Sequence, residues 1–317
     1  MRIVVLDGHT LNPGDLSWAE LGKQGEVGVF PRTAPGEVAA RLRAADAALT
    51  NKVPITAETI AACARLKYIG VTATGYNMID MDAARRAKIT VTTVPGYGTE
   101  SVAQTVFALL LEITHQAGHH SRRVAEGAWT SCPDFSFVDF PLLELSGLTM
   151  GIVGFGEIGQ AVGRIAHAFR MNVIYHTRTA RPFDAYPARG VELEELFREA
   201  DVVSLHCPLT PETKNLVSWE RLRTMKPGAI LINTARGGLV NEADLARALR
   251  ENVIAWAGLD VLSTEPPPAD NPMLTAPHCF ILPHVGWATV AARHRLMTET
   301  LANFTAWCRG TPRNVIA

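Results

Sequence analysis

Cysteine is scarce. Five lie in 317 residues, at 63, 132, 207, 279 and 308, with no C-x-x-C pair. An odd, scattered set argues against a disulfide framework and against a structural zinc site. Charge is also thin, with charged residues at 19% and a formal net charge of −1. A basic surface for nucleic acid or an anionic membrane is therefore not expected. No apolar run approaches the about 18 residues of a membrane span. The opening MRIVVLDGHT is interrupted by Asp7 and is too short for a signal peptide. The expectation is a cytoplasmic protein with neither nucleic-acid nor membrane partner.

What is present is core. Hydrophobic residues make up 47% of a chain about two domains long. In the first hundred residues, RIVVLD, GEVGVF, DAALTN, LKYIGV and KITVTTV read as strands. GDLSWAELGK, PGEVAARLRA, TAETIAACA and DMDAARRA between them have helical spacing. That alternation predicts a parallel sheet flanked by helices. Pro95 and Gly96 interrupt it, and a long apolar helix is predicted from Thr99 to Ala117, with Ser101 and Gln104 at capping-box spacing. WTSCPDFSFVDFPL follows as an aromatic loop, suited either to a partner subunit or to its own domain. From Leu148 the alternation resumes, and it ends in a long helix closed by Gly310 and Pro312.

MGIVGFGEIGQAVG contains G-x-G-x-x-G at Gly154, Gly156 and Gly159. With 25 glycines a bare match has little weight. Its context, an apolar strand before and a helix after, makes it a dinucleotide cradle. Gly154 serves the tight turn, Gly156 the approach of backbone to pyrophosphate and Gly159 the helix–strand contact. Phe155, Glu157 and Ile158 complete the cradle. The next strand ends at Thr177, about 20 residues on, where an NAD enzyme places a carboxylate on the ribose. Here Thr177, Arg178 and Arg181 stand instead. A hydroxyl with two guanidinium groups suits a 2′-phosphate, so the cofactor expected is NAD(P)H, with NADPH favoured.

Three strand ends carry polar groups: Arg236 in ILINTARGG, Asp260 and Glu265 in AGLDVLSTEPPP, and His284 in FILPHVGW. Ligands of open parallel sheets sit beyond such ends. Reducing a 2-oxo acid needs a grip on its carboxylate, polarisation of the keto oxygen and a proton. Arg236 suits the first two tasks, and His284 the third, with Glu265 holding the imidazole. Asp260 suits the nicotinamide carboxamide. Singly, each has an ordinary reading as a loop residue; their shared location is the signal.

These segments, together with DVVSLHCPLTPETKNLV, YIGVTATGYNMID and VPGYGTESVAQTVFALLLE, resemble the D-isomer-specific 2-hydroxyacid dehydrogenase family, within it the glycerate dehydrogenase/hydroxypyruvate (glyoxylate) reductase group. The resemblance implies an α/β chain of two Rossmann-like or flavodoxin-like parallel-sheet domains with an active-site cleft between them. Residues 1–98 plus 289–317 would form the substrate domain and 99–288 the dinucleotide domain. It implies Arg236, Glu265 and His284 as the catalytic set. It implies Cys207, Pro208, Thr213, Thr234 and Ala235 along the cofactor, and Ala73, Thr74, Gly75 and Tyr76 on the substrate carboxylate. It also implies a homodimer. Thr177 departs from the family pattern.

Trp287 and Tyr76 are bulky candidates for the substrate pocket, favouring a small acid such as hydroxypyruvate or glyoxylate, reduced to D-glycerate or glycolate. Lys52 could approach the substrate from the first domain, but a solvated loop lysine is the better reading. A formate enzyme of the superfamily would replace Glu265 by Gln. A phosphite-type dehydrogenase or a nucleotide-sensing corepressor would keep the same three residues. Glu112, His115 and His119 share helical spacing, but structural or subunit roles are the better reading and no metal is assigned.

Overall fold

The computed structural model describes residues 1–179 and 182–317. The chain divides into two compact units, Met1–Gly98 with Trp287–Ala317, and Thr99–Gly286. Both are parallel-sheet α/β structures.

The first unit has five strands: β1 (Arg2–Val5), β2 (Glu26–Val29), β3 (Ala47–Thr50), β4 (Tyr68–Val71) and β5 (Thr90–Thr92). Their order is β2-β1-β3-β4-β5, all parallel. This is a flavodoxin-like order, with its reversal between β1 and β3. Continuous apolar runs fit strands covered on both faces: β3 and β4 are buried throughout. Val4, Leu6, Leu42, Ile55 and Ile69 fill one face. Ile3, Val5, Leu49, Tyr68 and Phe304 fill the other. Phe304 comes from the closing helix Val290–Cys308, which starts where Thr289 Oγ1 accepts the Ala292 amide. Ile316 and Ala317 bond back to Val91, covering the free edge of β5. GDLSWAELGK, expected to be helical, forms only the 3₁₀ turn Ala19–Lys23.

The second unit has seven strands: β6 (Thr149–Val153), β7 (Asn172–His176), β8 (Arg189–Gly190), β9 (Val202–Leu205), β10 (Ile230–Asn233), β11 (Trp256–Leu259) and β12 (Cys279–Ile281). Their order is β12-β11-β10-β9-β6-β7-β8, again parallel. The reversal lies between β6 and β9, the crevice where doubly wound sheets take dinucleotides. The predicted long helix runs Thr99–His115 and stops at Gln116, whose φ is 44°. A second helix, Ala117–Ala125, follows. Ser101 is not a cap: it is buried and its hydroxyl donates to the Gly286 carbonyl, 2.6 Å away. The aromatic loop is tied to the second helix through Asp139, which meets His119 and Arg123, while Phe135 is 92% exposed.

Candidate active site

The glycine turn is built by close approach. Gly154 has φ 95°, and a Cβ there would lie 2.6 Å from the Cys207 amide nitrogen. The continuation of β9 leaves no room for any side chain at that point. At Gly159 a Cβ would strike the Gly154 carbonyl, so the helix Glu157–Ala168 can sit tightly on the turn only with glycine there. A Cβ on Gly156 would meet nothing within 4 Å. Gly156 is the N-cap and offers no side chain, so the first amides of that helix point outward as anion donors. The Phe155 ring is buried and stacks on Tyr175, with centroids 4.0 Å apart.

The flanking loops follow β7 and β9. Thr177 is half-buried and Arg178 exposed, and Arg181 lies outside the described residues. Glu212, which the sequence reading passed over, has its carboxyl held below the usual range by the Thr210 side chain and also by the Arg178 charge. Thr213 Oγ1 donates to the Pro208 carbonyl at 2.7 Å and accepts the Thr210 amide, also at 2.7 Å, tying that loop to itself. Burial raises the Cys207 thiol. His206 was likewise passed over. Its ring nitrogens are sealed off, Nε2 bonds Ser204 Oγ at 2.8 Å, and burial pulls its pKa down to about 3. Thr234 Oγ1 and His206 Nδ1 are buried with no partner among the described residues. The glycine cradle, the outward amides and the buried Thr234 hydroxyl fit a nicotinamide dinucleotide.

Arg236, Glu265 and His284 follow β10, β11 and β12, which are neighbours in the sheet. Asn233, 1% exposed, shapes the first turn: its amide donates to the Arg236 carbonyl at 2.9 Å and its oxygen accepts the Ala235 amide at 3.1 Å. Gly237 lies against the Leu262–Ser263 backbone so closely that a Cβ would collide with it. The Arg236 and Glu265 loops therefore abut. Glu265 Oε1 accepts the Leu262 amide at 3.1 Å, and Oε2 lies 2.6 Å from His284 Nδ1. Glu242 braces the same loop, accepting from Ser263 N and Asn271 Nδ2 at 2.6 and 2.8 Å.

His284 has φ 55°, uncommon for a residue with a Cβ. Asp260 secures the bend. Its two oxygens accept the Val285 and Gly286 amides, each at 2.8 Å. Burial raises the Asp260 carboxyl, and those two amides oppose the rise. Asp260 thus has a local task beside the carboxamide contact expected of it.

In the first unit, the loop Thr72–Tyr76 follows β4. Thr74 Oγ1 donates to the Val94 carbonyl at 2.8 Å, and the Val94 amide to the Ala73 carbonyl at 3.0 Å. Trp287 packs against the cluster of Leu11, Val94, Leu296 and Met297, while Tyr76 is exposed. Among the described residues no cluster of His, Cys, Asp or Glu is placed to hold a metal ion. His119 instead bonds Asp139 at 2.7 Å. None of the helices described is long and apolar enough to cross a membrane.

A family model for the D-isomer specific 2-hydroxyacid dehydrogenase NAD binding domain matches residues 107–286. A hydroxypyruvate reductase of Blautia hydrogenotrophica is 47% identical over 320 residues, covering 100% of this chain and 99% of the relative. A glycerate dehydrogenase of Methylorubrum extorquens is 37% identical, covering 99% of this chain and 98% of its own. Among solved structures, an NADPH-dependent glyoxylate/hydroxypyruvate reductase from Sinorhizobium meliloti, in complex with NADP and malonate, superposes with a TM-score of 0.84. It is 29% identical, covering 100% of this chain and 96% of its own.

Proposed function

The chain belongs to the D-isomer specific 2-hydroxyacid dehydrogenase family, and from that membership we propose that it reduces hydroxypyruvate and glyoxylate to D-glycerate and glycolate. It is an oxidoreductase of the CH–OH group that acts on small 2-oxo acids with a nicotinamide cofactor. The observation that carries the reading is the Glu265–His284 contact of 2.6 Å, on a loop bent at His284 at the same sheet edge as the glycine turn.

When bound, the nicotinamide supplies the hydride that reduces the keto carbon. Arg236 grips the substrate carboxylate with a planar, permanently charged fork and polarises the keto oxygen. With Nδ1 committed to Glu265, proton donation falls to His284 Nε2, and the proton completes the hydroxyl of the product. Glu265 fixes the ring's orientation. The amides of Ala73–Tyr76 take the substrate carboxylate, and Tyr76 and Trp287 keep the acid small. Cys207, Pro208, Thr213, Thr234, Ala235 and Asp260 line the cofactor.

NADPH is the proposed cofactor. Support comes from Thr177 and Arg178 where a ribose-binding carboxylate would stand, and from the NADP named for the Sinorhizobium meliloti reductase. We further propose a homodimer through the exposed segment around Phe135 and Val138, and a cytoplasmic location in keeping with five unbridged cysteines.

The test is His284→Gln beside wild type. Loss of the proton donor is expected to lower kcat about 10³-fold with the cofactor Kd unchanged. A kcat within twofold of wild type would overturn the assignment.

A further inference from the structure

In the first unit the ends of β1 and β3 meet at a buried carboxylate. Asp7, 6% exposed, accepts three successive amides. Asn51 N lies 2.8 Å from Oδ1, and Lys52 N and Val53 N lie 2.6 and 3.2 Å from Oδ2. Convergent N–H groups of this kind bind anions, and here the anion comes from the chain itself. The loop after β3 is thereby fixed, and Asn51 with it. Asn51, 2% exposed, donates Nδ2 to the Thr72 carbonyl at 2.5 Å, while the Thr72 amide bonds the Thr50 carbonyl at 2.8 Å.

Thr72 opens the loop assigned to the substrate carboxylate. Asn51 ties its first residue, and Val94 ties the next two, Ala73 and Thr74. The amides of Ala73, Thr74, Gly75 and Tyr76 meet no acceptor among the described residues. Asn51 Oδ1 is buried and has no partner among the described residues. An orphaned buried acceptor is a cost that a strut serving stability alone would avoid.

We propose that Asp7 and Asn51 are positioning residues for the reaction, holding the Ala73–Tyr76 amides in the arrangement that receives the substrate carboxylate. The proposal rests on the reading of that loop as the carboxylate's ligand. Both residues act through the Thr72 peptide.

Asn51→Leu removes the donor without adding charge. It is expected to raise the KM for the 2-oxo acid about tenfold, with kcat within twofold and the cofactor Kd unchanged. Asp7→Asn gives a second reading. Removing a negative charge would by electrostatics alone favour an anionic substrate, so a raised KM here supports positioning. A lowered melting temperature with KM unchanged in both variants would overturn the proposal, leaving a structural role only. Gly75→Pro, which deletes one loop amide, separates the two levels. A raised KM in Gly75→Pro beside an unchanged KM in Asn51→Leu overturns the positioning role alone. An unchanged KM in Gly75→Pro overturns the assignment of the loop, and the proposal with it. A far-UV circular dichroism spectrum matching that of wild type verifies that the first unit of each variant remains folded.

Discussion

His284 sits at φ 55° because its neighbours leave it no alternative. Asp260 holds the two following amides, and Ser101 holds the Gly286 carbonyl from a helix 185 residues earlier in the chain. A left-handed residue with a Cβ costs about 1–2 kcal/mol, and strain of this kind persists where surroundings over-determine it. A Cβ at Gly286 would lie 2.7 Å from Asp260 Oδ2, so Gly286→Ala must push that clamp apart. We expect Gly286→Ala to lower kcat at least about tenfold while the cofactor Kd stays within twofold. Unchanged kcat would show that the clamp does not set the imidazole. At this scale the sequence is partly legible. Arg236, Glu265 and His284 stand out as polar groups after apolar strands. The Ser101 contact does not, because nothing local marks a hydroxyl whose partner is 185 residues away; its spacing to Gln104 suggested a cap instead.

Strand ends decide the element scale. The turn after β6 was readable because glycine spacing encodes close approach directly. The end of the helix Thr99–His115 was not, since Gln116 can adopt φ 44° without any turn residue announcing it. The loops after β7 and β9 bear on the cofactor. Glu212 lies in the field of Arg178, so the two charges partly offset each other beside the proposed 2′-phosphate position. Arg178→Ala should raise the NADPH KM about tenfold and leave the NADH KM nearly unchanged. Equal small changes in both would contradict NADPH selection.

His206, just after β9, gives a prediction about stability. Burial pulls its pKa from 6.5 to about 3, so between those values the unfolded chain binds the extra proton. Stability contributed by the neutral ring is therefore present above pH 6.5 and lost as pH falls towards 3. The slope approaches about 1.4 kcal/mol per pH unit. Urea midpoints of wild type and His206→Gln, measured from pH 4 to 7, should diverge, with the variant's curve flatter. Parallel curves would contradict the assignment.

At the scale of the whole molecule, periodicity announced two parallel α/β units. It could not announce that Trp287–Ala317 joins Met1–Gly98 across the intervening unit. Strand and helix spacing is blind to which sheet an element enters, and only the family resemblance carried that point. The aromatic segment was similarly ambiguous in sequence, since apolar residues there suit a core or a partner. Phe135 and Val138 are 92% and 60% exposed, an apolar surface that the proposed homodimer would cover. Phe135→Asp with Val138→Asp should shift the sedimenting species from dimer to monomer. A wild-type monomer would contradict the dimer.

The reaction itself is tested by NADPH and NADH oxidation by the purified wild-type chain with hydroxypyruvate, glyoxylate and pyruvate, with the chirality of the reduced hydroxypyruvate determined. Rapid turnover of the small acids and a D-glycerate product are expected. Tight cofactor binding with no turnover of any 2-oxo acid, or an L product, would contradict the proposed reaction.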